Sequence, residues 1–457
     1  MCPRVAALLG LALLLPACGG HSGDGGGGGS PTLPAGMVLA GGPNGASIQY
    51  LTAVGPLLFF IFDDGIHGAE LWRSDGTPQG TFMAKDICPG PVSSRPTNLM
   101  AVGSILLFGA DDGVHGMSLW RSDGTASGTV MVADLNPGGG NSFVYVGPGT
   151  TAVVGNTLFF PGNDGGAHVG LWKSDGTAAG TVFLNSTQPG GGGTGTPFIA
   201  AGTSEVFFFG YDPALSTNSL WKSDGTVAGT VHLLDLTNPA NLMATGSRAY
   251  FSAWDSTHGS QLWTSDGTSA GTALVADLDP VPNGSNPGNF VAAGPLVFFA
   301  ALTSGGQNLW QTDGTAAGTL AVQPSPTQVA PNWGAQTNGM NALGSELYFK
   351  GVDNFAGAEL WKTDGTVAGT VRVSSSPNNL NPNGIAPLGA IVFFAGTDAA
   401  HGAELWSSDG TAGGTGLVWD IQPGPGSSLP NQLTTVGATL FFTADDGSGV
   451  SLWHFPP

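Results

Sequence analysis

The sequence predicts an all-β fold, a β-propeller of four-stranded blades closed by an N-terminal outer strand that completes the last blade. Three observations carry that expectation. Glycine and proline supply 77 and 32 of the 457 residues, and in helix interiors they cost about 1 and 3 kcal/mol each, so a helical bundle is excluded. Disorder is excluded in turn by 24 Phe and 12 Trp at patterned positions. Finally, Leu-Trp pairs end at Trp72, Trp120, Trp172, Trp221, Trp263, Trp310, Trp361, Trp406 and Trp453, 42 to 52 residues apart. Propeller blades repeat every ~40–50 residues.

The element order repeats from unit to unit. In the stretch Asn98 to Asp134, Asn98 to Val102 reads as a short first strand closed by Gly103-Ser104. Ile105 to Ala110 is continuously apolar, as expected of a strand covered on both faces. A DDGVHG loop leads to a third strand, Ser118 to Arg121, and the SDGTASG turn to a fourth, Thr129 to Asp134. Gly-X precedes every second strand, from Gly55-Pro56 to Gly437-Ala438. Glycine at the first central position of a two-residue hairpin loop selects a type II′ turn. First hairpins and Leu-Trp strands both count nine units.

Fourth strands do not match that count. The ninth unit stops at Leu452-Trp453-His454, while an orphan fourth-strand sequence, Met37 to Gly42, lies at the other end. Ring closure reconciles the two, because the early segment then supplies the missing outer strand and leaves no open sheet edge. An open solenoid would need polar caps instead.

Ahead of the repeats, residues 1–18 combine Arg4 with an apolar run from Val5 to Leu15, the pattern of a signal peptide and too short to span a bilayer. Leu15-Pro16-Ala17-Cys18 resembles the lipobox of bacterial lipoproteins, which implies cleavage before Cys18 and lipid attachment to its thiol; Gly19 after it implies the outer membrane. Residues 19–34 read as a Gly-rich flexible tether and 35–457 as the propeller. Of three cysteines, only Cys88 lies in the propeller, so no disulfide framework is expected.

Eleven Lys and Arg face 31 Asp and Glu, a net charge of −20. Phosphate backbones and anionic lipid are repelled by such a surface, so nucleic acid is excluded as a partner and the membrane is reached only through the lipid. A monomer is expected.

Glu70-Leu71-Trp72-Arg73-Ser74-Asp75-Gly76-Thr77, Glu359 to Thr366 and Glu404 to Thr411 are similar to the bacterial ELWxxDGT repeat family, and five further copies replace the Glu with Ser118, Gly170, Ser219, Gln261 or Asn308. The resemblance implies a surface or secreted bacterial protein and carries no catalytic residue. Read from the residues, Trp wedges between blades, while Asp75, Asp123, Asp175, Asp224, Asp266, Asp313, Asp364 and Asp409 accept backbone N–H bonds ahead of a positive-φ glycine.

A working surface is expected on the loops between second and third strands. They hold Asp63-Asp64 with His67, Asp111-Asp112 with His115, Asp164 with His168, Asp255 with His258, and Asp398 with His401. Neither EF-hand calcium spacing nor His-x-x-x-His zinc spacing occurs there, so no metal site or cofactor is assigned; calcium is the one ion left open. Phe62, His67, Tyr211, Trp254 and Trp333 are the candidate ligand-binding residues, because exposed aromatics beside polar groups suit stacking or anchoring. Catalytic residues are not assigned, since no unit carries a distinct polar cluster and Glu205 and Glu346 start second strands on the opposite face. The function expected is a non-catalytic, lipid-anchored surface scaffold binding or adhering to a protein or glycan through one propeller face. The alternative is a propeller hydrolase or lyase acting on polysaccharide through Asp and His of that face.

Overall fold

Each unit is organised around its second strand, because that strand is apolar on both sides and has to be covered twice. Leu57–Asp63, Ile105–Asp111, Thr157–Asn163 and Thr439–Asp445 bury their five central residues without alternation. The computed structural model describes residues 36–456, apart from 40, 42–47, 138, 143–148, 190–198, 213–216, 280–283, 305, 323–329, 332–338, 354–356 and 375–378. The leader, Cys18, the tether and Trp333 lie outside the described residues, among which no α-helix occurs.

Strands pair antiparallel in chain order within a unit. In the first, Gln49–Val54 pairs with Leu57–Asp63, that strand with Ala69–Ser74, and the latter with Phe82–Lys85. Hydrogen bonding joins the strands into eight sheets. One of these is eight-stranded, because Val231–Thr245 runs from the fourth strand of one unit into the first strand of the next. Among the described residues, nine strands carry a Leu-Trp pair.

The hairpin glycines behave as their turn type requires. Gly55, Gly103, Gly155, Gly246, Gly294, Gly344, Gly389 and Gly437 lie at φ between 56° and 64°, and the residues after them do not share the positive φ. Only the first central position of a type II′ turn is left-handed. Gly202 departs from this, taking no positive φ while its N–H bonds to Glu205 O at 2.8 Å.

Closure takes the expected form. Met37–Leu39 adds to Val450–Phe455, with Met37 opposite Trp453 and Leu39 opposite Leu452. His454 N donates to Gly36 O at 2.8 Å, and Gly41 N to Ser451 Oγ at 3.1 Å. First strands of consecutive units adjoin one another right round, including Asn431–Val436 against Gln49–Val54, so the first strands are innermost and the molecule is a closed β-propeller.

The core is divided among the unit interfaces. Nine apolar clusters each join one unit to the next, and each includes the tryptophan of the later unit. Trp120 packs with Ile61 and Leu71, Trp406 with Tyr348 and Leu360, and Trp72 with Phe441 and Leu452 across the seam. A wedge between blades is therefore the role the motif tryptophans play.

Among the described residues the first strand carries a bulge near its start in six units, between Gln49/Thr52, Thr97/Met100, Ala240/Met243, Gly288/Val291, Asn383/Ala386 and Asn431/Thr434. An extra residue there bends the strand and re-aims a side chain.

Candidate functional site

The loops between second and third strands are closed by their own aspartates. Asp63 Oδ1 accepts Gly65 N at 2.8 Å, and Asp64 Oδ1 accepts Ile66 N and His67 N at 2.9 Å each. The second oxygen of Asp64 then meets His67 Nδ1 at 2.7 Å. Asp112 and His115 repeat the arrangement at 2.7 Å, Asp398 and His401 at 2.9 Å, and Asp255 and His258 at 3.0 Å, while His168 Nδ1 pairs with Asp164. In all five dyads it is Nδ1 that is held, and the imidazole is about a third to a half exposed.

Titration follows from this contact. The hydrogen bond that His67 donates to Asp64 holds the imidazole above its ordinary range, with burial acting the other way; Asp112 does the same for His115 and Asp398 for His401. Burial pushes the Asp64 carboxyl up, but the N–H and ring of His67 outweigh it and leave the group below the usual carboxylate range.

Eight turns form on the other face, six reading SDGT and two, at Thr312 and Thr363, reading TDGT. Asp75 Oδ1 accepts Thr77 N at 2.9 Å and Thr77 Oγ1 at 2.7 Å, and Ser74 Oγ meets Thr81 Oγ1 at 2.7 Å. Gly80 has to be glycine, since a Cβ there would overlap the Asp75 carboxylate. These aspartates serve the turn, as expected. Glu205 and Glu346 lie on this face and pair with Lys222 at 3.3 Å and Lys362 at 2.9 Å.

Sequence reasoning missed the role of the motif glutamate. Glu404 is fully buried, and its carboxylate accepts Ile421 N and Ser428 N at 2.9 Å each and Ser428 Oγ at 2.5 Å. Glu70 binds Ile87 N, Ser94 N and Ser94 Oγ in the same way. Both thus clamp the loop that leaves their unit for the next. Where Gln261 replaces the acid, its amide holds Ser285 Oγ at 2.5 Å and Asp277 Oδ1 at 2.7 Å. Burial raises the carboxyls of Glu70 and Glu359, against the hydrogen bonds of Ser94 and Ser374. The recurrence of Glu or Gln before Leu-Trp, with Ser 24 residues later in three units, was the available signal.

The candidate ligand-binding residues divide. Phe62 is corrected: it is 3% exposed and packs edge-to-face on Trp72 at 5.2 Å, because it continues the covered apolar strand. Tyr211 is half-buried in the strand Val206–Asp212, and His67 is held by Asp64. Trp254 is 39% exposed at the end of its second strand, and it is not brought together with His67, which stands four units away. Cys88 is a free thiol that burial pushes up, with Glu70 adding to the shift, so it is a weak nucleophile. Among the described residues, no group of three or more His, Cys, Asp or Glu is placed to hold a metal ion.

No family model matches the sequence, and a search of curated proteins finds no relative. Solved structures do align with it. Puromycin hydrolase aligns at 16% identity and TM-score 0.38, over 77% of this chain and 59% of its own. Prolyl oligopeptidase B from Galerina marginata aligns at 11% identity and TM-score 0.44, over 89% and 55%. The β-propeller domain of the Trilobed protease from Pyrococcus furiosus aligns at 11% identity and TM-score 0.37, over 72% and 97%. The chain thus spans somewhat more than half the length of the two hydrolases. The structures named here are a hydrolase, an oligopeptidase and a protease domain; none of the three is an adhesion scaffold of the kind expected from the sequence. Their likeness concerns the fold, so the chemistry has to come from the residues of this chain.

Proposed function

We propose that the propeller is hydrolytic and that Asp–His dyads of the loop face supply general acid–base catalysis. The observation that supports this reading is the dyad geometry: Asp64, Asp112 and Asp398 hold Nδ1 of His67, His115 and His401, and Nε2 is the nitrogen left to act. A carboxylate on Nδ1 fixes tautomer and ring orientation and stabilises the imidazolium that forms during proton transfer. Nε2 takes a proton from water as the water oxygen bonds to the substrate carbonyl carbon. The proton then passes to the leaving nitrogen as the C–N bond breaks. With their affinity for protons raised by the neighbouring carboxylates, these histidines are suited to act near neutral pH.

Export and attachment through Cys18 belong to the same proposal and would place the activity at the bacterial surface. Blocked fluorogenic peptidyl amides and nitrophenyl glycosides test the reaction class, with wild type compared with the H67Q/H115Q/H401Q variant. The turns survive in that variant, because the aspartates still accept their backbone N–H groups. Wild-type turnover of the amide that falls at least a hundredfold in the variant is expected, and turnover of the glycoside alone would contradict the step. Absence of turnover in the wild type, or an undiminished rate in the variant, overturns the proposal.

A further inference from the structure

The bulges of the first strands in six units each set one residue apart, and those of the first, eighth and ninth units border a common cavity. At this shared position six residues have left-handed backbone: Tyr50 (φ 57°), Asn98 (49°), Asn241 (56°), Asn289 (55°), Gly384 (64°) and Gln432 (52°). Asn and Gly enter this region readily, whereas a bulky aromatic there is an outlier. Tyr50 is also 53% exposed, and its hydroxyl has no hydrogen-bond partner among the described residues. Thr52 Oγ1 donates to Tyr50 O at 3.0 Å, as Thr434 Oγ1 does to Gln432 O at 2.9 Å, so the bulge backbone is held locally while the exposed Tyr50 ring takes no part in that bond; a bulky side chain kept in this region points to a task for it.

Tyr50 borders a cavity of about 330 Å³ on the axial side of the first, seventh, eighth and ninth units. Small-ligand sites run from about 300 to 1,000 Å³. Leu51, Met340, Ile385 and Leu433 give the cavity aliphatic walls. Its polar groups are Asn341, Gln432 and Thr434, and no charged side chain lines it among the described residues. The amides are pinned across unit boundaries, Asn341 Nδ2 donating to Ile385 O at 3.0 Å and Gln432 Nε2 to Ile48 O at 2.7 Å. With its nitrogen so engaged, Gln432 keeps its carbonyl oxygen to accept a ligand N–H.

We propose that this axial cavity binds an uncharged peptide segment with aliphatic side chains, anchored on Tyr50. Aliphatic walls fit such side chains, fixed amides fit the peptide backbone, and the absence of lining charge disfavours acidic or basic ligands. Among the described residues, Tyr50 is the one aromatic that lines it, where a sugar site would need more stacking surface. The site is separate from the Asp–His dyads, and its test measures binding without turnover.

Calorimetric titration of the full chain with acetyl-Ala-Leu-Ala-amide provides that test, with acetyl-Asp-Leu-Asp-amide and maltotriose as comparators. Y50N installs the residue that the second, fifth and sixth units carry at this position. Binding of the neutral peptide, weakened at least tenfold in Y50N without a lower melting temperature, is the expected result. The H67Q/H115Q/H401Q variant should bind as wild type does, so loss of hydrolysis and loss of this site are told apart. Equal affinity in Y50N, preference for the acidic peptide or the trisaccharide, or no binding at millimolar peptide overturns the inference.

Discussion

A buried carboxylate with three donors around it is costly to remove and easy to imitate. Glu404 accepts two backbone N–H groups and one hydroxyl, so E404A strands them and should cost about 3 kcal/mol or more. E404Q should stay within about 1 kcal/mol of wild type, as Gln261 already does this work in the fifth unit. Urea denaturation of both variants measures the difference. Acid behaviour follows from the turns. Hydrogen bonds from Thr77, Thr125 and Thr177 hold Asp75, Asp123 and Asp175 below the usual carboxylate range, so their stabilisation is present above about pH 4 and lost as pH falls through the folded values. His67, His115 and His401 are raised, so theirs is present below about pH 6.5 and lost as pH rises through the folded values. Buried Glu70 and Glu359 are raised as well and act with the histidines, their share fading as pH rises past about 4.3. The urea midpoint should therefore peak between about pH 4 and 6.5, and a midpoint still climbing at pH 9 would contradict the assignment. At this scale the SDGT turn was legible, because its bonds span two to seven residues. The glutamate clamp was not, because Ser94 and Ser428 lie 24 residues beyond their partners.

Among the elements, the third strand shows how one motif residue meets two environments. Indole N–H groups of Trp120, Trp221, Trp361 and Trp406 are buried and have no acceptor among the described residues, whereas Trp453 Nε1 donates to Ala444 O at 3.1 Å. W406F removes an unsatisfied donor and W453F a satisfied one, so W453F should be the more destabilising by about 1 kcal/mol. Thermal melts of the two variants decide it, and equal losses would show that the bond adds nothing. W406A removes the wedge itself and should cost about 3–5 kcal/mol. Period and apolar runs predicted these strands to within a residue or two, since Ile105 to Ala110 became Ile105–Asp111. What the pattern could not supply was which apolar residues stay exposed. Phe62 and Trp254 each precede an aspartate, but Phe62 lies opposite Glu70 and Trp254 opposite Ser260, one strand position further on, so one packs against Trp72 and the other opens to solvent.

For the whole molecule, stability rests on nine interfaces rather than one centre, and the seam is one of them. Removing residues 36–41 exposes the edge of Val450–Phe455 and uncovers Met37's neighbours Phe442 and Leu405. That truncation should lower the melting temperature by several degrees, while trimming residues 19–30 should leave it unchanged. Equal melting of the two would count against closure. Ring closure was readable from strand counting, because a missing fourth strand at Trp453 and a spare one at Met37 are the same strand. The axial bulges were not readable, since Tyr50, Gly384 and Gln432 share a backbone conformation and no chemistry.

The clasp between Gly41 and Ser451 joins residues 410 positions apart. A ribosome finishes one half of this fastening long before it begins the other, and every partly made chain carries a raw flank. Such a polypeptide has reason to remain unfinished until its last stretch emerges, and a nonsense codon anywhere along the way would leave a product prone to stick to its own kind.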